Sequence, residues 1–247
     1  MSKSKLEKFV ELKSFHHVIE LSFKDVLNKD YYLKNNWNKV FFKNNNEIIL
    51  EIGCGKGEYT IALAEKYPQK NFIGIDIKGN RIWKGATFAK QKNLSNVCFI
   101  RTHIEFIESI FSKNEISQIW LPFPDPQMKK FRKRLVSTRF LTMYLNILDK
   151  DGIIHLKTDS NFLYHYVDAL MKGNNITPIF KTNDLYKNPI FKDALLIKTH
   201  YEKQFINMGI PIKFIQFKLP KYTLKETNIK IKFDTWKSYE RGKKSHT

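Results

Sequence analysis

The stretch IILEIGCGKG, residues 48–57, decides the fold of this chain. Its apolar first half predicts a buried β-strand, which breaks at three alternating glycines. The glycines are Gly53, Gly55 and Gly57. They permit a tight turn and allow a ligand to lie against the backbone, where a Cβ would collide. A second apolar run ends in Asp76, which in a βαβ unit lies at the tip of the neighbouring strand, within reach of ribose hydroxyls. The two runs predict a nucleoside-binding crevice.

The spacing of the glycines indicates which nucleoside is bound. A dinucleotide fingerprint needs G-x-G-x-x-G, but here the third glycine comes one position early and Glu58 stands in its place. Carboxylates at Glu51 and Glu58 disfavour a pyrophosphate and favour a cationic ligand. S-adenosylmethionine carries a sulfonium and an ammonium but no phosphate, so the spacing favours it as the cofactor. The alternative that stays open is a glycine turn in an α/β domain without this ligand.

The composition limits the class of protein. The chain has 247 residues, of which 42% are hydrophobic, and this suffices for one sizeable α/β domain. Its 43 Lys and Arg against 24 Asp and Glu leave a net charge of +19, which favours nucleic acid as the partner. Cys54 and Cys98 form no C-x-x-C pair, so neither a disulfide framework nor a metal site is expected. Since no secretion signal or membrane-spanning stretch is evident, we expect a cytoplasmic protein without a membrane partner.

Strand and helix signals alternate along the chain and predict a parallel sheet with helices on both faces. The predicted strands are 48–53, 71–77, 97–102, 116–122 and 153–158, and the predicted helices are 58–67, 79–92 and 136–148. Weaker signals predict a helix at 160–172, a strand at 176–181, a helix at 198–208 and a strand at 211–218. We therefore divide the chain into a basic N-terminal extension (1–46), a central domain (47–220) and a basic C-terminal tail (221–247).

A rigid acidic loop, WLPFPDPQM at residues 120–128, follows the fourth of these strands. Ligands of open α/β sheets bind at the carboxyl ends of the strands, so Asp125 is expected beside Glu51 and Asp76. The flanking prolines fix φ and stiffen the loop. A carboxylate held rigidly beside a methyl donor is a candidate catalytic residue, although a plain proline turn would give the same pattern.

The run KKFRKR, residues 129–134, comes directly afterwards. Basic side chains with an interleaved aromatic ring can grip phosphates and stack on an exposed base. The predicted RNA contacts are Lys130, Arg132, Lys133 and Arg134. A run of like charge is also typical of a solvated face, but its nearness to Asp125 favours nucleic acid.

These motifs together resemble the bacterial tRNA (guanine-N7-)-methyltransferase family. The matching pieces, in the family's order, are EIGxGKG at 51–57, GID at 74–76, PDPxxKK at 124–130, KTD at 157–159 and TxYE at 199–202. The resemblance implies a Rossmann-like class I methyltransferase fold with a mostly parallel seven-stranded sheet and helices on both faces. It also implies methyl transfer from S-adenosylmethionine, without a metal, to N7 of guanine 46 in the variable loop of tRNA.

The resemblance further implies which residues form the site. For the cofactor these are Glu51, Gly53, Gly55, Gly57, Asp76, His103 and Asp125, and for the substrate Lys129, Asp159, Thr199, Tyr201 and Glu202. Simpler interpretations exist, because Asp159 could cap the following helix and Thr199 could begin a plain helix. The chain departs from the family at His103, where an acid is usual, and at Gln127, where tryptophan is common.

Two rival functions remain open at this point. A non-catalytic RNA-binding protein on a vestigial methyltransferase fold would keep the basic patches but would not bind S-adenosylmethionine. A methyltransferase for small molecules or proteins would share the crevice but has no evident use for the net charge of +19.

Overall fold

The computed structural model describes residues 3–187 and 193–235, so residues 236–247 of the predicted basic tail lie outside the described residues. Eight strands form one sheet. They are β1 (Val18–Glu20), β2 (Ile48–Ile52), β3 (Asn71–Asp76), β4 (Val97–Arg101), β5 (Ile116–Pro122), β6 (Leu148–Thr158), β7 (Phe180–Thr182) and β8 (Lys213–Phe217). The α-helices are α1 (Lys5–Leu12), α2 (Phe23–Val26), α3 (Glu58–Lys66), α4 (Gly79–Gln91), α5 (Ile107–Ile110), α6 (Thr138–Ile147), α7 (Asn161–Gly173) and α8 (His200–Asn207).

The strand order in the sheet is β1-β4-β3-β2-β5-β6-β8-β7. The first six strands run parallel, and β8 runs antiparallel to both β6 and β7. Every residue of β2 is buried, as expected for an apolar strand between two helical layers. One buried cluster includes Trp37, Tyr144 and Leu163, and a second includes Phe72 and Phe99. The predicted α/β architecture is therefore confirmed.

The number of strands differs from the predicted seven. The additional strand, β1, comes from the N-terminal extension and pairs with β4, where Val18 lies opposite Phe99 and Glu20 opposite Arg101. The extension also reaches the core, because Trp37 is fully buried and its indole N–H donates to the Ile110 carbonyl at 3.0 Å. Residues 3–46 thus pack on the domain.

The carboxyl ends of the parallel strands meet at one edge of the sheet. We call this the carboxyl edge, and its residues are Gly53 after β2, Asp76 at the end of β3, His103 after β4, Asp125 after β5 and Asp159 after β6. Short parallel crossovers bring these positions together although they are far apart in sequence. Among the described residues, no helix has the length and apolar character needed to cross a membrane.

Candidate functional site

The three glycines of the turn after β2 have different surroundings. All have positive φ, with 75° at Gly53, 56° at Gly55 and 68° at Gly57. A Cβ added to Gly57 would lie 2.6 Å from Cε1 of Phe99, so this glycine is required by packing. A Cβ on Gly53 or Gly55 would meet no neighbouring atom closer than 4.0 Å. These two glycines therefore leave open space over the turn, as a ligand lying against the backbone requires.

Asp76 fixes the shape of the turn. Its Oδ2 accepts a hydrogen bond from the Gly55 N–H at 2.8 Å, and its Oδ1 accepts one from the Lys78 N–H at 2.8 Å. The residue is partly exposed, and each carboxylate oxygen has a second lone pair. Asp76 can therefore hold the turn and accept hydrogen bonds from a ligand's hydroxyls at the same time.

Glu51 is only 4% exposed and faces the first turn of α3. Its Oε2 accepts hydrogen bonds from the Thr60 backbone N–H at 2.7 Å and from the Thr60 hydroxyl. Within the described residues its Oε1 accepts none. Burial raises the pKa of Glu51 to about 8, although the Thr60 hydrogen bonds act in the opposite direction. A cation beside Oε1 would favour the ionised form, so this group suits a positively charged ligand.

A cleft of about 630 Å³ opens at the carboxyl ends of β3 and β4, where Ile77, the residue after Asp76, lines it. His103 lies exposed on its wall, with the Phe106 ring 6.2 Å away, and Phe106 packs edge-to-face with Phe23 of α2. Exposed Ile77 lines the same cleft. These apolar faces can enclose a flat ring, and the His103 imidazole can serve as hydrogen-bond donor or acceptor. Sequence reasoning did not predict the part played by Phe23, because α2 has only four residues.

The loop that carries Asp125 is held in an uncommon backbone shape. Phe123 has φ 54° and Gln127 has φ 44°, both in the left-handed region that side chains usually avoid. Asp125 is exposed at the carboxyl edge, and its Oδ1 accepts a hydrogen bond from the Gln127 N–H at 3.0 Å. Strained backbone positions of this kind cluster at functional sites, so the shape of this loop supports Asp125 as a candidate catalytic residue.

Arg134 corrects one expectation, because it is only 3% exposed and so is not placed to contact RNA. Its guanidinium carbon lies 4.0 Å from the Tyr166 ring centroid and 4.8 Å from that of Phe162. It donates to the carbonyls of Pro126 at 3.0 Å and Gln127 at 3.1 Å. Arg134 therefore holds the Asp125 loop in place.

The rest of the basic run is exposed, as predicted. These side chains are Lys129, Lys130, Arg132 and Lys133. We call residues 129–133 the basic loop. The sequence does not distinguish buried Arg134 from its exposed neighbours, because the aromatic rings that contact it belong to α7, much further along the chain.

Asp159 also differs from its expected role, because it is fully buried. Lys213 of β8 donates to its backbone carbonyl at 2.8 Å. The alternative that Asp159 caps α7 is wrong, since the cap is Ser160, whose hydroxyl accepts from the Leu163 N–H at 2.9 Å. A direct contact between the Asp159 carboxylate and a base would require a different arrangement of these residues.

Glu202 is likewise fully buried, in an ion pair with Lys157 of β6 at 2.7 Å. Lys157 also donates to the carbonyls of Leu195 at 3.0 Å and Ile197 at 2.9 Å. Burial lowers the pKa of Lys157, and the Glu202 charge opposes that shift. The sequence marks Lys157 only as the first residue of the KTD motif, but in the structure its contacts hold residues 195–202 against the sheet.

The segment 199–202 begins α8 with a capping box between Thr199 and Glu202, which matches the simpler interpretation made from the sequence. Tyr201 remains partly exposed, and the Lys56 ammonium of the glycine turn lies 5.9 Å from its ring centroid. Glu58, expected to favour a cation, instead accepts from the His200 N–H at 2.9 Å. The segment therefore lies against the glycine turn, and Thr199 and Tyr201 remain partly accessible there.

The strand order, the glycine turn after β2 and the acid at the end of β3 define a class I, Rossmann-like methyltransferase fold. The chain is similar in fold to an antibiotic-related methyltransferase, with a TM-score of 0.55, 16% identity and coverage of 76% of this chain and 95% of that one. It is also similar to the 16S rRNA methyltransferase KamB, with a TM-score of 0.55, 9% identity and coverage of 72% and 90%. A family model described as putative methyltransferase matches residues 45–215.

Relatives of higher sequence identity show which family of methyltransferases the chain belongs to. The chain is 48% identical over 246 residues to a tRNA (guanine-N(7)-)-methyltransferase of Bacteroides fragilis, with coverage of 99% of this chain and 98% of the relative. It is 44% identical over 239 residues to the protein of that name from Porphyromonas gingivalis, with coverage of 95% and 98%. The Clostridium acetobutylicum protein of that name is 36% identical over 189 residues, with coverage of 76% and 87%. The chain belongs to the tRNA (guanine-N(7)-)-methyltransferase family.

Proposed function

We propose that the protein transfers a methyl group from S-adenosylmethionine to N7 of guanine 46 in the variable loop of tRNA. The observation that carries the proposal is the arrangement along the carboxyl edge. An open glycine turn with Glu51 and Asp76, and the exposed Asp125 followed by the exposed basic loop, stand at the carboxyl ends of the neighbouring strands β3, β2 and β5. The names of the curated relatives support the same substrate class.

The residues around the glycine turn fit S-adenosylmethionine. The open backbone at Gly53 and Gly55 would lie under the ligand, and the free lone pairs of Asp76 would accept from the ribose hydroxyls. Oε1 of Glu51 would face the ammonium, and the cleft beside His103 would enclose the adenine ring. When bound, this cofactor supplies the electrophilic methyl group.

Guanine N7 already carries a lone pair and has no proton to lose, so the chain need not supply a general base. Its task is to hold N7 in line with the methyl group, and positioning of this kind can lower a barrier by ~7–11 kcal/mol. Asp125 is exposed and can accept hydrogen bonds from N1–H and N2–H₂ of guanine. These bonds strengthen as the ring becomes cationic, which favours the transition state, and adenine lacks the same donors.

The basic loop supplies the docking charge. Lys129, Lys130 and Lys133 are exposed, and within the described part of the chain none of them is paired with a carboxylate. Each phosphate that they neutralise releases counterions, so tRNA affinity should fall log-linearly with salt. Arg134, on which the same role was expected, contributes indirectly by fixing the Asp125 loop.

The proposal is tested with three tRNA transcripts that differ at position 46, carrying guanine, adenine or 7-deazaguanine. The last keeps the hydrogen-bonding edge of guanine but has carbon in place of N7. We expect transfer of labelled methyl only to the guanine transcript and release of 7-methylguanosine on digestion. Equal labelling of the 7-deazaguanine transcript would exclude N7 as the acceptor, and equal labelling of the adenine transcript would exclude position 46.

The same incubation separates the rival functions. A non-catalytic RNA-binding protein would bind the transcripts without labelling any of them. A methyltransferase for proteins would label a bulk protein fraction in preference to tRNA.

A further inference from the structure

A segment near the end of the described chain lies across α6 and α7. We call residues 226–234 the C-terminal strap. Its first anchor is Glu226, whose Oε2 accepts from the Thr138 hydroxyl at 2.9 Å and the Thr138 N–H at 3.3 Å. Oε1 of Glu226 accepts from the Tyr166 hydroxyl at 2.6 Å. The strap follows the region matched by the family model, which ends at residue 215.

The second anchor is Asp234. Its carboxylate accepts from the Ser160 hydroxyl at 2.5 Å and from the Phe162 N–H at 2.9 Å. Its backbone N–H lies 3.3 Å from Sδ of Met128, which follows Asp125 in the acidic loop. The two anchors therefore hold the strap beside the loop proposed to carry the chemistry.

Between its anchors the strap faces the basic loop across a groove of about 770 Å³. Phe131 is 52% exposed on the loop side and Phe233 is 46% exposed on the strap side. Lys230 and Lys232 are exposed on the strap, and within the described residues neither is paired with a carboxylate. The groove thus has exposed cations on the strap wall and one accessible aromatic ring on each wall.

We propose that the C-terminal strap is the second wall of the tRNA-binding groove, with Lys230 and Lys232 contacting phosphates and Phe233 packing against a ribose or an unstacked base. Cations alone would suit any polyanion, but exposed cations beside accessible aromatic rings suit RNA. The inference rests on the proposed function, because it takes the tRNA substrate as given.

The position of the groove links RNA binding to the Asp125 loop. Met128, in the same loop as Asp125, lines the groove, and the buried Arg134 at its base donates to the carbonyls of Pro126 and Gln127, which follow Asp125 directly. Tyr166 donates its hydroxyl hydrogen bond to Glu226, and its ring packs against the Arg134 guanidinium. RNA held between strap and loop therefore lies next to the proposed catalytic carboxylate.

The test compares K230E/K232E with the matched control K113E/K150E. Lys113 precedes β5 and Lys150 lies near the start of β6, so both exposed control residues are at the opposite edge of the sheet. The two variants change net charge equally. For K230E/K232E we expect tRNA binding about tenfold weaker at moderate salt, with the slope of log affinity against log salt reduced by about two. For the control we expect a change below about threefold.

Phe233→Ala provides a second readout without a change in charge. We expect weaker tRNA binding with an unchanged salt slope, while calorimetry shows unaltered binding of S-adenosylmethionine. Wild-type tRNA affinity in K230E/K232E, or an equal loss in the control, would overturn the inference. If the unmodified protein methylates tRNA while the strap variants bind like it, only the strap inference fails. If the unmodified protein methylates no tRNA, the proposed function itself fails.

Discussion

Replacing the turn glycines one at a time by alanine should separate the two tasks that the turn performs. In Gly57→Ala the new Cβ would lie 2.6 Å from Cε1 and 2.7 Å from Cζ of Phe99, and 3.3 Å from Cα of Gly85. The left-handed backbone, with φ 68°, costs ~1–2 kcal/mol for a residue with a side chain. Overpacking a buried site adds ~1–3 kcal/mol. The free energy of unfolding should therefore fall by about 2–5 kcal/mol.

Gly55→Ala should behave differently, because its Cβ would meet only the Gly53 carbonyl oxygen at 4.0 Å. We expect a loss of only ~1–2 kcal/mol in the free energy of unfolding, from the backbone term. The methyl group would, however, fill the space proposed for S-adenosylmethionine and abolish detectable binding. Urea denaturation measures the first quantity and calorimetry the second. The reasoning is refuted if both variants lose the same stability, or if Gly55→Ala binds the cofactor like the unmodified protein.

Three further predictions follow from the site. Asp125→Asn should bind tRNA and unfold normally but transfer methyl at least tenfold more slowly in single-turnover assays; an unchanged rate would remove Asp125 from the mechanism. Burial raises the pKa of Glu51 from 4.5 to about 8, so the folded state binds the proton of the Glu51 carboxyl more tightly than the unfolded state does. The free energy of unfolding should therefore fall as the pH rises from 4.5 to about 8. Glu51→Gln should reduce that fall in melting temperature between pH 5 and pH 8, and a parallel fall in both proteins would contradict the assignment. Lys133→Glu should weaken tRNA binding at an unchanged melting temperature. Arg134→Met should lower the melting temperature, because two loop carbonyls lose a charged donor. The reverse pattern would show that Arg134, and not Lys133, contacts the RNA.

The parts of the fold around the candidate site that are predicted correctly from the sequence depend on local patterns. The strand before Gly53, the turn itself and Asp76 form one βαβ unit, in which hydrophobic runs and glycine spacing carry the information. The predicted strand at 116–122 has the bounds of β5. In contrast, β1 has three residues, too few for a periodic signal, and its place in the sheet depends on pairing with β4.

The differences from the sequence predictions involve charged residues whose partners are distant in sequence. The family motif predicts that the Glu202 carboxylate contacts the substrate, but Lys157 on β6 neutralises it in the core. Arg134 belonged to a basic run, but Phe162 and Tyr166 of α7 enclose it. Sequence shows the charge of such a residue, whereas its burial depends on the packing of the whole fold.

The central claim is that the methyl donor binds over the glycine turn with its ribose on Asp76. Titration calorimetry of S-adenosylmethionine into the unmodified protein and into Asp76→Ala tests it most directly. We expect one site per chain and an affinity at least tenfold lower in the variant, since a hydrogen bond to a charged group contributes ~1.5–3 kcal/mol. Absence of heat with the unmodified protein, or equal affinity in the variant, would contradict the account.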